Sequence, residues 1–410
     1  MATGDALAVP ALGHEEHTWL AEADGMSSRA VLAAGSGRYR SAVPARIADL
    51  ALTLPADLAA DAEEAAAALA SFDSYARAAL GPQSAELGPM SSVLLRTESA
   101  SSSQIENLTV GARQLALAEI DQASSANTAV VVGNVRAMEA ALRLSDHLDQ
   151  DAIRGMQAEL ISRQAGWEQH AGVYRDRLVW IGSRSVSPVG ASYVAPQPEL
   201  VPGAMADLIA FIARSDMPVV VQAAMAHAQF ETIHPFMDGN GRTGRALVHA
   251  ILKGKRLVTS TTAPVSAGLL HDTERYFEAL QAYRRGDARP IVERFSEASR
   301  YAAHTGSRLV DALAEQVRLA RHALSGVRPQ ALAWTVLPQL IAHPVIDAKF
   351  LTGALGLNNT AAQRALRTLA EAGVLEERSG KRRNRAWQHR GILTVLDDYA
   401  EQIRRQQGRA

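Results

Sequence analysis

Cysteine is absent from all 410 residues, which rules out a disulfide scaffold and any metal site built on thiolates, and suits a reducing cytoplasm. Nor does the chain contain a run of about 18 apolar residues or an N-terminal basic-then-apolar signal pattern. The expectation is therefore a cytoplasmic protein with no membrane partner. An excess of one charge sign is missing too: 42 Lys and Arg balance 43 Asp and Glu, for a net charge of −1. Such balance argues against wholesale coating of nucleic acid, while leaving room for a local basic patch. With 47% hydrophobic and 21% charged residues, the composition is that of an ordinary globular protein long enough for two or three domains.

What the chain does have is concentrated in one stretch, His234-Pro-Phe-Met-Asp-Gly-Asn-Gly-Arg-Thr-Gly-Arg245. It packs a base, a carboxylate, an amide, three glycines and two guanidiniums between two helical patterns. Upstream, Val219 to Ile233 has no breaker and reads as a buried helix, which must stop near His234 because Pro235 disfavours the α conformation of the residue before it. Downstream, a second helix is expected from about Arg242. The loop between them delivers Gly239 and Gly241 to a helix N-terminus, where unpaired N–H groups and the positive dipole end attract anions. Asp238 is a hard oxygen ligand suited to Mg²⁺ carrying substrate phosphates, and Arg242 and Arg245 can face one anion. His234 at the loop mouth can take a proton from an attacking hydroxyl. No Gly-Lys-Ser/Thr closes the loop, so this is not a Walker A sequence. A bland glycine-rich turn has no use for so many special residues in so short a span.

HPFMDGNGRTGR is similar to the Fic family motif, H-x-F-x-(D/E)-G-N-G-R-x-x-R, at every specified position. The resemblance implies a nucleotidyltransferase that moves AMP from ATP onto a hydroxyl side chain of a target protein. In that reading His234 is the base and Asp238 holds Mg²⁺. Gly239, Asn240 and Gly241 cradle the reacting phosphate, Arg242 and Arg245 hold the departing diphosphate, and Phe236 anchors the loop in the core. The target protein is not named by the residues, and a homo-oligomer is left open.

The rest of the chain is expected to be mainly α. Residues 1–38, rich in Ala, Gly and Ser, read as a partly ordered lead-in. Residues 39–125 read as a helical N-terminal region that includes an Ala-rich helix over 58–80. Within it, Ser103 to Glu106 has the spacing of a capping box at a helix start. The same stretch, through Ser102, Glu106 and Asn107, also resembles the Fic inhibitory motif, (S/T)-x-x-x-E-(G/N). That likeness implies that Glu106 pairs with Arg245 where the γ-phosphate should sit, with Asn107 turning the chain after it.

Residues 126–300 are assigned to a Fic-type core. Two helices split near Asp146, and the aromatic and β-branched run from Gly172 to Pro196 reads as a β-hairpin. The resemblance makes this hairpin a flap over the active site. His227 and His249, each on an apolar helical face, read as hydrogen-bonded core residues and not as metal ligands. Pro264 to Leu270 reads as a loop. Tyr276 and Tyr283 share one face of the helix after it; the resemblance nominates Tyr276 for the adenine-side wall. Residues 301–325 are expected to be a connector helix, blemished by Gly306. Residues 326–410 look like a winged helix-turn-helix with its second helix over Asn359 to Ala372 and a basic wing at Lys381, Arg382, Arg383 and Arg385. The alternative function is accordingly a DNA-binding regulator that uses the Fic-type domain as a nucleotide sensor.

Overall fold

The computed structural model describes residues 5–21, 34–80, 85–120, 122, 125–162, 164–182, 187–378 and 385–407. The chain opens with strands β1 (Gly13–Trp19) and β2 (Gly37–Val43), then runs through helices α1 (Ala56–Leu80), α2 (Leu87–Ile105), α3 (Ala112–Glu119), α4 (Ala126–Arg143) and α5 (Gln150–Ile161). Strands β3 (Trp180–Ile181) and β4 (Tyr193–Val194) follow, and then α6 (Val201–Ala213), α7 (Val219–Ile233), α8 (Asn240–Gly254), α9 (Val265–His271), α10 (Thr273–Arg284) and the long α11 (Arg289–Ala323). The C-terminal part comprises α12 (Leu332–Val336), α13 (Gln339–Ala342), β5 (Val345–Asp347), α14 (Ala348–Leu355), α15 (Asn359–Glu371), β6 (Glu376–Glu377), β7 (Ala386–Gln388) and α16 (Arg390–Gln407). The protein is thus mainly helical, as its composition and periodicity predict.

These elements form two compact units. The first draws on Met1–Glu63, Ala140–Lys255 and Glu274–Ser296, the second on Glu64–Glu139, Arg256–Thr273 and Glu297–Ala410. The units interleave along the chain. The reason is visible in one cluster of the second unit: Ala116, Leu117 and Ile120 share a core with Val345, Ala386 and Leu393. Residues of α3 and the Ile120 that follows it thus pack with the C-terminal sheet and α16.

In the first unit, α7 is buried at every position from Val220 to Ile233. A helix buried all round belongs at the centre of a core, and its Gln222, His227 and Gln229 are hydrogen-bonded there. Against it packs α8, and Gly244 permits the approach: a Cβ there would lie 2.9 Å from Phe230 Cδ1 and 3.1 Å from His227 Nδ1. The expected lead-in holds an ordered strand, since β1 pairs antiparallel with β2 from Gly13↔Val43 to Trp19↔Gly37. Its His-Glu-Glu-His-Thr-Trp alternation is partnered across the ladder. His17 stacks on Tyr39 at 5.4 Å, and Trp19 meets Trp180 edge-on at 5.6 Å.

In the second unit two expectations are corrected. The serine run does not start a helix: α2 begins at Leu87, and the serines lie buried in its last turns. Their hydroxyls are satisfied inside the helix, Ser99 Oγ donating to Leu95 O and Ser103 Oγ to Ser99 O, each at 2.9 Å. Asn134 of α4 ties the same turns by donating to Ser99 O at 2.7 Å and Ser103 Oγ at 3.0 Å. Small polar residues here make a close helix face instead of a cap. The second correction is α9, expected to be a loop. Gly268 is there for close packing, as a Cβ would come 2.6 Å from Ala298 Cα, and the buried Glu98 accepts from Ser266 N–H at 2.8 Å and from its hydroxyl.

In the C-terminal segment the turn and cap residues stand where the helices begin and end. Asp347 caps α14, Gly356 turns left-handed at φ 64°, and Asn358 caps α15. The small sheet has the order β5-β7-β6, antiparallel throughout. Of the basic wing, Lys381, Arg382 and Arg383 lie outside the described residues. Arg385 is engaged by Glu377, with Nε donating at 2.6 Å, and lies 5.0 Å over the Trp387 ring.

Candidate active site

The motif stretch is built by the end of one buried helix and the start of the next. α7 terminates at His234, whose φ of 50° and ψ of 61° place it in the left-handed region. A residue with a Cβ rarely adopts that conformation, and here three side chains hold it by serving carbonyls that the helix end leaves without partners. Arg284 Nη2 donates to Glu231 O at 3.0 Å, the Tyr193 hydroxyl donates to Thr232 O, and Arg175 Nε donates to His234 O at 2.8 Å. Two of these caps are cations, the sign that a helix C-terminus favours.

The loop that follows is closed by its own side chains. Phe236 is fully buried, its ring against Tyr174 at 5.5 Å and Phe230 at 6.3 Å. Asn240 accepts from Phe236 N–H at 2.9 Å and donates to Phe236 O at 2.8 Å. Gln157 of α5 donates to Asp238 O at 3.3 Å and accepts from Gly172 N–H at 2.5 Å, which joins the loop to the lead of the hairpin. Gly239 takes φ 79°, and a Cβ there would lie 2.6 Å from Leu160 Cδ2, so the position needs glycine on both counts. Helix α8 begins two residues earlier than the sequence suggested, at Asn240, with no side-chain cap on its N-terminus. Its first N–H groups, from Asn240 to Arg242, therefore have no acceptor within the helix, the arrangement that favours an anion.

The charged residues of the stretch sit around that N-terminus. Asp238 is ion-paired with Arg242 through Oδ2 and Nη2 at 3.1 Å; the carboxylate side chain keeps 38% of its exposure and the arginine 4%. Arg245 is buried one turn further along α8. Among the described residues no three His, Cys, Asp or Glu side chains cluster as a metal cage. One carboxylate nevertheless suits Mg²⁺, which keeps its waters and is shared with phosphates.

His234 is held electrically as well as sterically. About a fifth of its side chain is exposed (21%), and its buried Nδ1 has no hydrogen-bond partner among the described residues, the Glu231 carboxylate standing 3.8 Å away. Burial, with Arg284 and then Arg175 nearby, pushes the imidazole well below its ordinary pKa. The ring is consequently neutral at physiological pH and able to accept a proton.

Not every expected residue falls at the site. Tyr276 is 1% exposed, and its hydroxyl lies 2.7 Å from Nε2 of the fully buried His227, whose ring it also stacks against. Its hydroxyl and ring are thus engaged within the core, as is Tyr283, which donates to Gln229 at 3.0 Å. His227 has the structural role expected of it, and burial pushes its pKa down to about 3. Glu106 belongs to the second unit, where it is the C-cap of α2 (φ −95°), and Asn107 after it is left-handed at φ 62°. Arg175, Tyr193, Arg284 and Gln157 were not singled out in the sequence, since each looks like an ordinary half-exposed residue of a hairpin or helix. The one signal was Arg175 itself, a charge inside an aromatic and β-branched run.

Comparison with known proteins bears on the same residues. A family model described as Fic/DOC family matches residues 147–252. A probable protein adenylyltransferase of Aquifex aeolicus is 35% identical over 112 residues, which is 26% of this chain and 31% of that protein. The protein adenylyltransferase fic-1 of Caenorhabditis briggsae is 33% identical over 135 residues, 32% of this chain and 24% of that one. The chain thus spans less than a third of either relative. Among solved structures, a Fic family protein from Desulfovibrio desulfuricans superposes with a TM-score of 0.51 at 22% identity, covering 82% of this chain and 97% of that one. This last likeness is one of fold.

Proposed function

We propose that this chain, which carries a Fic domain over residues 147–252, is a protein adenylyltransferase that moves AMP from ATP onto a hydroxyl side chain of a target protein. The observation that carries the reading is a neutral His234 fixed at the end of α7, in the same short loop that presents the uncapped N-terminus of α8. His234 takes the proton of the target hydroxyl, whose oxygen then bonds to the α-phosphorus. The bond from that phosphorus to the bridging oxygen breaks, and diphosphate leaves. The N–H groups of Asn240, Gly241 and Arg242 hold the charge that builds on the phosphoryl oxygens, while Arg242 and Arg245 hold the departing diphosphate. The Asn240 side chain is already committed to Phe236, so its contribution to the nucleotide is its backbone N–H. Asp238 would hold Mg²⁺, which neutralises phosphate charge when bound; Arg242 must then exchange this carboxylate for phosphate. Glu106 acts as a restraint on transfer.

Incubation with ATP labelled at the α-phosphate tests the reading: label is expected on the protein itself or on lysate proteins. Label that appears only from the γ-phosphate would replace AMP transfer with phosphate transfer. For the C-terminal segment, the exposed Arg364 and Arg367 on α15 are among the basic groups that could meet a DNA backbone. A titration of the full chain with duplex DNA at rising salt tests that role, since binding through phosphate contacts weakens as salt rises.

A further inference from the structure

We propose that Arg175 is a positioning residue of the transfer site: its buried guanidinium ties the left-handed turn at His234 to both arms of the β3–β4 hairpin, so that base and hairpin hold one geometry. The inference rests on the reading of His234 as the base. Arg175 is 3% exposed. Besides the bond from Nε to His234 O at 2.8 Å, Nη1 donates to Arg177 O at 3.0 Å and Nη2 to Pro196 O at 2.6 Å. Its own N–H donates to Pro235 O at 3.0 Å. Arg177 lies just before β3 and Pro196 just after β4, so one planar group grips the loop and both ends of the hairpin.

No carboxylate stands in ion-pair range of Arg175 among the described residues, and burial alone pulls its pKa down to about 10, still charged at neutral pH. A buried cation without an acid partner is unfavourable. What it supplies is geometry: a rigid fork with five donors reaches three separate carbonyls at once, which the point charge of a lysine cannot do. The hairpin is fastened to the same helix end a second time, because Tyr193 of β4 donates to Thr232 O while Arg284 lies 3.7 Å over its ring. A shift of either hairpin arm therefore moves the carbonyl that fixes the His234 turn. The charged groups that face His234 are Glu231 on α7, Arg284 on α10 and Arg175 itself, with the Tyr193 hydroxyl beside them.

The test compares Arg175→Lys and Arg175→Met in the full chain, following self-labelling from α-labelled ATP. Both variants should lose about tenfold to a hundredfold in rate at saturating ATP, the scale set by a misplaced base, while half-saturation by ATP changes by less than about twofold. The acid limb of the rate should move to higher pH in Arg175→Met, which removes a cation near the imidazole, and stay in place in Arg175→Lys, which keeps it. Wild-type rates in both variants, a half-saturation that rises in step with the lost rate, or an acid limb unmoved in Arg175→Met would each overturn the proposal. A measurement on the wild-type chain stands apart from folding of the variants. By ¹⁵N NMR the Arg175 Nε–H should exchange far more slowly than free arginine, and exchange at the free rate overturns the proposal. Failure of the AMP-transfer reading is distinguishable, because it shows as no label with the wild-type chain while the exchange result still decides whether Arg175 is fixed.

Discussion

Asn240 closes a ring onto Phe236, accepting from its N–H at 2.9 Å and donating to its carbonyl at 2.8 Å. The loop of the motif is therefore shaped before any nucleotide arrives, and the N–H groups at the start of α8 need not reorganise to meet charge. Asn240→Ala strands two buried backbone groups, each costing about 1–3 kcal/mol when left unpaired. The expected outcome is an earlier thermal melt together with weaker ATP binding, read from melts with and without ATP. A variant that melts normally and binds ATP normally would show that the ring does not organise the loop.

His234 combines two properties that pull apart under mutation. As the base, its loss in His234→Ala should slow transfer by about 10²–10⁴-fold, with ATP binding in a titration largely kept. As a left-handed residue it carries backbone strain of about 1–3 kcal/mol, which glycine does not. His234→Gly should thus abolish transfer while melting no earlier than wild type. A purified His234→Ala chain that still labels at the normal rate would remove the residue from the mechanism.

How much of this was legible in the sequence varies with the kind of contact. The bounds of α7 were readable to the residue, because a breaker-free apolar run ends at Pro235. The motif loop was readable because its residue types have no other use in so short a span. The serine run misled, since Ser99 and Ser103 donate their hydroxyls within α2, while Asn134, 35 and 31 positions away, donates to Ser99 O and Ser103 Oγ, a partner that no local pattern announces. Helical spacing likewise marks the face that Tyr276 and Tyr283 share, and only the tertiary partner His227 shows how deeply that face is buried. Arg175 escaped notice because its role consists of three backbone carbonyls from separate stretches, and a sequence displays side chains.

The buried His227 makes fold stability depend on acid. The folded-state pKa of His227 is about 3, below its ordinary value of 6.5. Below pH 6.5 the unfolded chain binds a proton there that the folded chain does not, so stability is full above that pH and falls as pH drops towards about 3. The contribution of one such group is about 1.4 kcal/mol per pH unit within the window. His227→Gln, which keeps a polar partner for Tyr276, should show a shallower loss of unfolding free energy between these limits in denaturant titrations at several pH values. Carboxylates titrate alike in both chains, so the difference in slope isolates His227. Parallel slopes would mean that the histidine is protonated in the fold.

Glu106 occupies a place where a carboxylate gains nothing from the helix it ends. It is the C-cap of α2, and the negative end of a helix dipole disfavours an acid by about 0.3–1 kcal/mol. The capping-box reading, in which the glutamate would support a helix start, is removed by the course of α2 from Leu87. Restraint of transfer is the role proposed for Glu106. Glu106→Gln removes the charge and keeps the shape, so the melt should be unchanged or slightly later. Self-labelling should rise by about tenfold or more, which needs only about 1.4 kcal/mol of relief. Asn134→Ala supplies the complementary test. It frees the last turns of α2 from Ser99 O and Ser103 Oγ, and should raise labelling less than Glu106→Gln while lowering the melting temperature. Loss of stability in Glu106→Gln without faster labelling would show that the carboxylate serves the fold and does not restrain the reaction.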